Sequence, residues 1–246
     1  MTDKTEKLYI VMPAYNEAEG IAAVVKEWYP KLGYGAAGSR LVIADGGSTD
    51  HTYDILRNLQ KDYPDLEVLS RPDTTHGTKV RFLYQYAVDH HVDWIFMSDS
   101  DGQTDPAEFD RFWKMRKRYD CVIGNRADRE DGRVRRFVDF VLRCYLFVFF
   151  KSRMPDGSAP FRLMKTELVA QYIDVLPEFC MLPNAVLNAL FVQYKNAVVF
   201  EKITFRKRKH DESKVRLREV LELGLRSVPD FYQISKNARN ITRNIK

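Results

Sequence analysis

The chain has 246 residues, 45% of them hydrophobic and 30% charged, enough to bury a substantial core and too ordinary a composition for a disordered protein. With 39 basic against 34 acidic residues the net charge is +5, which suggests an anionic partner without choosing among nucleic acid, a phosphorylated substrate and an acidic membrane. Cys121, Cys144 and Cys180 form neither a zinc spacing nor a disulfide framework, so the expectation is reduced thiols in a cytoplasmic protein. The opening MTDKTEKLYI lacks the apolar core of a secretory signal.

KLYIVMPAYNE predicts a strand running out into a loop, followed by a helix from about Ala18 to Trp28. RLVIADGGSTD predicts a second strand with a Gly-rich exit, and Thr52 to Tyr63 carries Ile55, Leu56 and Leu59 at helical spacing. LEVLS is a third strand, Thr78 to His90 a helix and DWIFMSD a fourth strand. Phe109 to Tyr119 is a further helix and CVIGN a fifth strand. This alternation predicts an α/β fold, a Rossmann-like, mostly parallel sheet with helices on both faces. Ligands of such sheets gather outside the carboxyl ends of the strands. PAYNE, ADGGSTD, SDSDGQ and GNR all follow predicted strands, so four polar clusters should share one rim. In WIFMSDSDGQTDP, residues 94–106, Asp99, Asp101 and Gln103 stand at alternate positions. Alone they read as a polar turn; on a shared rim they read as a divalent-cation site.

Taken together, VMPAYNEAEGI, IADGGSTDHT, MSDSDGQTDP, GNR, DGSAPFRL and FRKRKHDESK resemble, in the family's order, the family-2 glycosyltransferases of the GT-A fold. The nearest subgroup is typified by dolichol-phosphate mannose synthase and moves sugar from a nucleotide donor to a polyprenyl phosphate. The resemblance implies an inverting, metal-dependent enzyme with a GT-A domain over 1–215. Acceptor-side helices would follow it, with an amphipathic, basic tail over 216–246. It implies Asp101 and Gln103 as ligands to Mg2+ or Mn2+, with Asp99 facing the donor or sharing the metal. The donor, a UDP- or GDP-sugar, would meet the Pro13, Tyr15 and Glu17 wall, Asp45, Lys79 and Ser100. His76 and Gly77 stand in a loop that could approach phosphate or sugar. Relatives carry Asp-Asp where this chain has Asp45-Gly46. On the acceptor side, Arg126, Arg135 or Arg136, Arg208, Ser213 and Lys214 match phosphate-binding positions, since arginine forks suit phosphate oxygens. Asp156, Phe161 and Arg162 match an Asp-x-x-x-Gly-Phe-Arg motif, with Pro160 in place of Gly. Asp156 would then join Asp99, Asp101, Arg126, Arg208 and Lys214 in the catalytic set.

A hydroxyl acceptor needs a general base, and the Glu-Asp pair of many relatives is missing. PEFCMLPNAVLNAL offers Glu178 followed by Phe179. A phosphate acceptor is already ionised, which favours polyprenyl phosphate over a saccharide or glycolipid hydroxyl. A non-catalytic binder of nucleic acid or acidic membrane is a third reading. It leaves the acidic rim unexplained and lacks aromatics interleaved with the basic runs, so no nucleic-acid partner is expected.

No stretch holds the roughly 20 apolar residues of a membrane span. The nearest, FVDFVLRCYLFVFF over 137–150, contains Asp139 and Arg143 and reads first as a buried helix. It could instead lie in a bilayer interface, with Arg133, Arg135, Arg136 and Lys151 near anionic head groups. A tail helix from Leu217 to Val228, followed by Lys236, Arg239, Arg243 and Lys246, could dock a membrane, a partner or its own core. The expected location is the cytoplasmic face of a membrane.

Overall fold

In strand β1 (Leu8–Ala14) all seven side chains are buried. A strand covered on both faces belongs inside a parallel sheet, and β1 pairs in parallel with β2 (Arg40–Asp45) on one side and β4 (Trp94–Met97) on the other. β3 (Leu66–Ser70) extends the sheet beyond β2 in parallel. β6 (Arg162–Lys165) runs antiparallel to both β4 and β5 (Cys121–Asn125), and β7 (Val198–Lys202) closes the far edge parallel to β5. The order is β3-β2-β1-β4-β6-β5-β7. The computed structural model describes residues 5–72, 75–127, 133–206 and 228–238.

Alternation along β1 divides the core in two. Leu8, Ile10 and Met12 face helices α1 (Ile21–Trp28), α2 (Thr52–Leu59) and α4 (Phe109–Met115), packing with Trp28, Leu56 and Phe112. Tyr9 and Val11 join the opposite cluster, which takes in α3 (His76–Asp89), α5 (Arg133–Phe150), α6 (Thr166–Ile173) and α7 (Pro183–Gln193). Helices therefore cover both faces, as the alternation predicts. The helix over 228–238 also packs here, with the Phe231 ring 5.9 Å from Phe150 and 6.1 Å from Phe149.

Boundaries shift for local reasons. Glu17 O accepts from Gly20 and Ile21 N–H groups, a turn that delays α1 to Ile21. The Thr75 side chain accepts from Thr78 N–H and so starts α3 two residues before the predicted Thr78. α2 and α4 end at Leu59 and Met115, four residues short of Tyr63 and Tyr119. α5 is not buried on every side: Leu146 and Phe150 are, whereas Phe137, Phe140, Phe147 and Val148 are exposed. The predicted tail helix, apart from Val228, lies outside the described residues. Among the described residues no helix is long and apolar enough to cross a membrane.

Candidate active site

The exits of β1 and β2 are laced together by side chains. Asn16, at φ 54°, donates its backbone N–H to Ser48 Oγ (2.9 Å) and accepts at Oδ1 from Thr49 N–H (2.8 Å). Glu17 N–H donates to Thr52 Oγ1 (2.8 Å), and Ala18 N–H to Asp50 Oδ2 (3.1 Å). Asp50 also accepts from the Thr52 N–H at 2.9 Å. Burial works against its charge, but the bonds from Thr52 and Ala18 prevail and hold its carboxyl below the ordinary range.

Asp45 closes the neighbouring turn. Its Oδ2 accepts from Gly47 N–H (2.9 Å) and Ser48 N–H (3.0 Å), and its Oδ1 from the Ser48 hydroxyl. Gly47 sits at φ 77°, a left-handed conformation that glycine adopts without strain. Lys79, 3% exposed, reaches across from α3 and donates to Ala14 O at 2.9 Å, with its Nζ 5.3 Å from the Tyr15 ring. Burial lowers its pKa while Asp45 opposes the shift. A Cβ on Gly46 would collide with Lys79 Nζ, the far end of a flexible side chain. Lys79, from another helix, thus lies over Gly46, in the space where a second aspartate is expected. Gly46→Asp should push Lys79 off Ala14 and cost about 1–2 kcal/mol in urea denaturation. In the background of Lys79→Ala the same change should be nearly neutral, a coupling that two independent sites would not show.

At the β4 exit, Ser100 Oγ donates to Pro13 O (2.8 Å), tying this loop to β1. Asp101 Oδ1 accepts from Gln103 N–H (3.0 Å) across Gly102, whose φ is 70°. Asp99 Oδ1 is buried and accepts no hydrogen bond among the described residues; His76 Nε2, at the start of α3, is 3.7 Å away. The Gln103 side chain turns toward the β7 exit, where its Nε2 donates to Arg206 O (2.7 Å) and Arg206 N–H donates back to Gln103 O (2.8 Å).

These loops enclose a cleft of about 970 Å3. Of the predicted donor and metal residues, Pro13, Tyr15, Glu17, Lys79, Asp99, Ser100 and Asp101 line it, as does His76. Asp45 and Gln103, both buried, do not line it. Sequence reasoning missed Asp50 and Glu19, which also line it. Asp50 lies two residues before Thr52 at a helix start, a legible capping signal.

The predicted acceptor-side residues divide differently. Arg126 and Asp156, 8% and 3% exposed, grip each other: Nε donates to Oδ2 and Nη2 to Oδ1, both at 2.8 Å. Burial disfavours both charges, yet the paired bonds prevail and hold Asp156 below the ordinary carboxylate range and Arg126 above its own. Asp156 also accepts from the Arg126 backbone N–H at 3.2 Å. Arg162 is fully buried and bonds to Asn184 O (3.0 Å) and Asn188 Oδ1 (2.9 Å), so this arginine braces the fold beneath the site. Arg135 and Arg136 lie on α5 with side chains outside the description. Arg208, Ser213 and Lys214 lie outside the described residues altogether.

Two hard carboxylate groups on one rim, one with an orphaned buried oxygen, fit a divalent cation. No group of three or more His, Cys, Asp or Glu side chains converges among the described residues. A cation here would need further oxygens, from water or from its ligand.

Residues 9–172 match the model of Glycosyl transferase family 2, and the chain belongs to that family. It is 24% identical over 174 residues to the dolichyl-phosphate beta-glucosyltransferase ALG5A of Trichomonas vaginalis, covering 65% of this chain and 53% of that protein. It is 26% identical over 174 residues to the undecaprenyl-phosphate 4-deoxy-4-formamido-L-arabinose transferase of Yersinia pestis, covering 69% and 52%. The chain spans about half or less of the length of the curated relatives it matches. Among solved structures, it superposes on glucosyl-3-phosphoglycerate synthase from Mycobacterium tuberculosis in complex with Mn2+, UDP-glucose and glycerol 3-phosphate. The TM-score is 0.62 at 19% identity, over 90% of this chain and 80% of that one. The fold is therefore GT-A, with β6 as its reversed strand.

Proposed function

We propose that this chain transfers a sugar, with inversion, from a UDP- or GDP-sugar to a polyprenyl phosphate, with Mg2+ or Mn2+ at the acidic rim. The observation that carries the reading is the single cleft in which Asp99 and Asp101 face Tyr15, Glu17 and Lys79. The acceptor oxygen attacks the anomeric carbon from the face opposite the diphosphate, and the bond to the diphosphate oxygen breaks. A bound cation supplies Lewis acidity to that leaving group. Asp99 and Asp101 would hold it. Gln103, whose Nε2 donates to Arg206 O at the β7 exit, would have to turn toward the cleft to add Oε1.

Tyr15, half exposed at 51%, would offer a ring for the base, with Lys79 Nζ 5.3 Å from it and Glu17 lining the same cleft for the ribose. Both Asp45 oxygens are engaged by Gly47 and Ser48, so contact with the base falls to the turn that Asp45 holds. Arg126, oriented by Asp156, would meet the acceptor phosphate together with Arg135, Arg136, Arg208, Ser213 and Lys214. Glu178, the candidate base for a hydroxyl acceptor, is exposed and does not line the cleft. The acceptors named for the two curated relatives support a lipid phosphate, which would bring the chain to the cytoplasmic face of a membrane. A detergent assay should offer labelled UDP- and GDP-sugars with Mn2+ to polyprenyl phosphate, polyprenol and oligosaccharides. Transfer to the phosphate alone is expected; transfer only to the neutral acceptors contradicts the proposal.

A further inference from the structure

Helix α5 carries an exposed stripe that the described residues do not cover. Phe137, Phe140 and Val148 are 52%, 54% and 60% exposed, and Phe147 is 39% exposed. Cys144 and Lys151 are exposed beside them. At 3.6 residues per turn the five helical positions fall within an arc of roughly 100°, with Lys151 just past the helix end, so the stripe is continuous rather than scattered. It runs about 16 Å along the helix from Phe137 to Val148.

The charges around it are one-sided. Arg143 lies 6.0 Å from the Phe140 ring, and Lys151 and Arg153 lie 5.7 and 5.1 Å from the Phe147 ring. The sole acid between residues 137 and 153 is Asp139. It turns inward, accepting at Oδ1 from Gly157 N–H at 3.1 Å and pairing with Arg143 at 3.0 Å. Aromatic rings flanked by cations, with no outward carboxylate between residues 137 and 153, suit the boundary between phosphate head groups and acyl chains. A second copy of the chain would bring the same cations face to face across a two-fold axis, which like charge disfavours.

We infer that the exposed face of α5 docks flat on an anionic bilayer, Phe137, Phe140, Phe147 and Val148 entering the interface while Lys151 and Arg153 meet lipid phosphates. The inference takes its purpose from the lipid-acceptor reading, because a helix lying in the bilayer surface brings the acceptor-side loops to where a polyprenyl phosphate presents its head group.

The test is co-sedimentation of the full chain with phosphatidylcholine vesicles, with and without phosphatidylglycerol. Wild type should bind the anionic vesicles, and Phe140→Glu with Phe147→Glu should weaken partition at least about tenfold. Lys151→Gln with Arg153→Gln should lose only the preference for phosphatidylglycerol, a second variant that is informative even if the first fails to fold. Nucleoside diphosphate binding in solution should be unchanged in both. Partition unaffected by either pair, or a wild type indifferent to anionic vesicles, overturns the inference. So does a wild-type dimer in sedimentation equilibrium that the phenylalanine variant dissociates. Vesicle binding as expected from a chain that binds no nucleoside diphosphate would sink the functional reading and leave the surface standing.

Discussion

Asp101→Asn should fold like wild type and lose sugar transfer by at least about 10²- to 10³-fold. The amide keeps an oxygen for the Gln103 N–H that Asp101 Oδ1 now accepts at 3.0 Å, so the turn around Gly102 survives and the thermal midpoint should barely move. What the substitution removes is charge at the cleft rim. In the proposed reaction the leaving diphosphate gathers negative charge as its bond to the sugar breaks, and a cation held by Asp99 and Asp101 would stabilise that charge more than the ground state. Transfer should fall through kcat as well as KM. Asp101→Ala should add a modest stability loss of about 1 kcal/mol for the missing turn acceptor. A steady-state assay beside a thermal melt separates the two contributions. Full activity in Asp101→Asn would remove the metal role assigned to this loop.

Arg126→Leu should destabilise the fold by about 3–5 kcal/mol, because it strands the Asp156 carboxylate in a buried site. Replacing both residues with leucine should cost far less than either single change would suggest. The pH dependence has a definite sign. Asp156 in the native pair has a depressed pKa, so its contribution is fully present above the unfolded value near 4 and is lost as pH falls through the folded value. In Arg126→Leu, burial acts on Asp156 without the guanidinium, which raises its pKa instead. Stability of that variant should therefore rise as pH falls toward the raised value. Urea midpoints between neutral and acidic pH would show the two slopes with opposite signs. Parallel acid limbs would mean that the pair does not govern this region.

The lining of the cleft was legible because each strand exit announces itself within a few residues. An apolar run stops, polar or turn-forming residues follow, and the parallel sheet then puts every such exit on one edge. Asp99, Ser100 and Asp101 follow β4 directly, and Pro13, Tyr15 and Glu17 lie at or just beyond the end of β1 in the same way. Contacts between distant segments were not legible. Nothing in ADGGS reveals that Lys79, 33 positions after Gly46, fills the space of a second aspartate. Arg126 and Asp156 each match a motif, yet their mutual grip appears only once β5 and the loop before β6 come together. β6 escaped notice because its four residues run straight into α6, too short for a period of two to register. The exposed face of α5 was hidden for another reason. Phenylalanines around the whole helix suggest a core position, and only the packing of Leu146 and Phe150 shows which side is covered.

The most direct measurement is a calorimetric titration of the full chain with UDP and with GDP, each with and without Mn2+, repeated on Asp101→Asn. One of the two nucleotides should bind wild type much more tightly when Mn2+ is present, and that dependence should vanish in the variant. Equal affinity with and without Mn2+ in both proteins would contradict the assignment of the acidic rim to a cation and the diphosphate it neutralises.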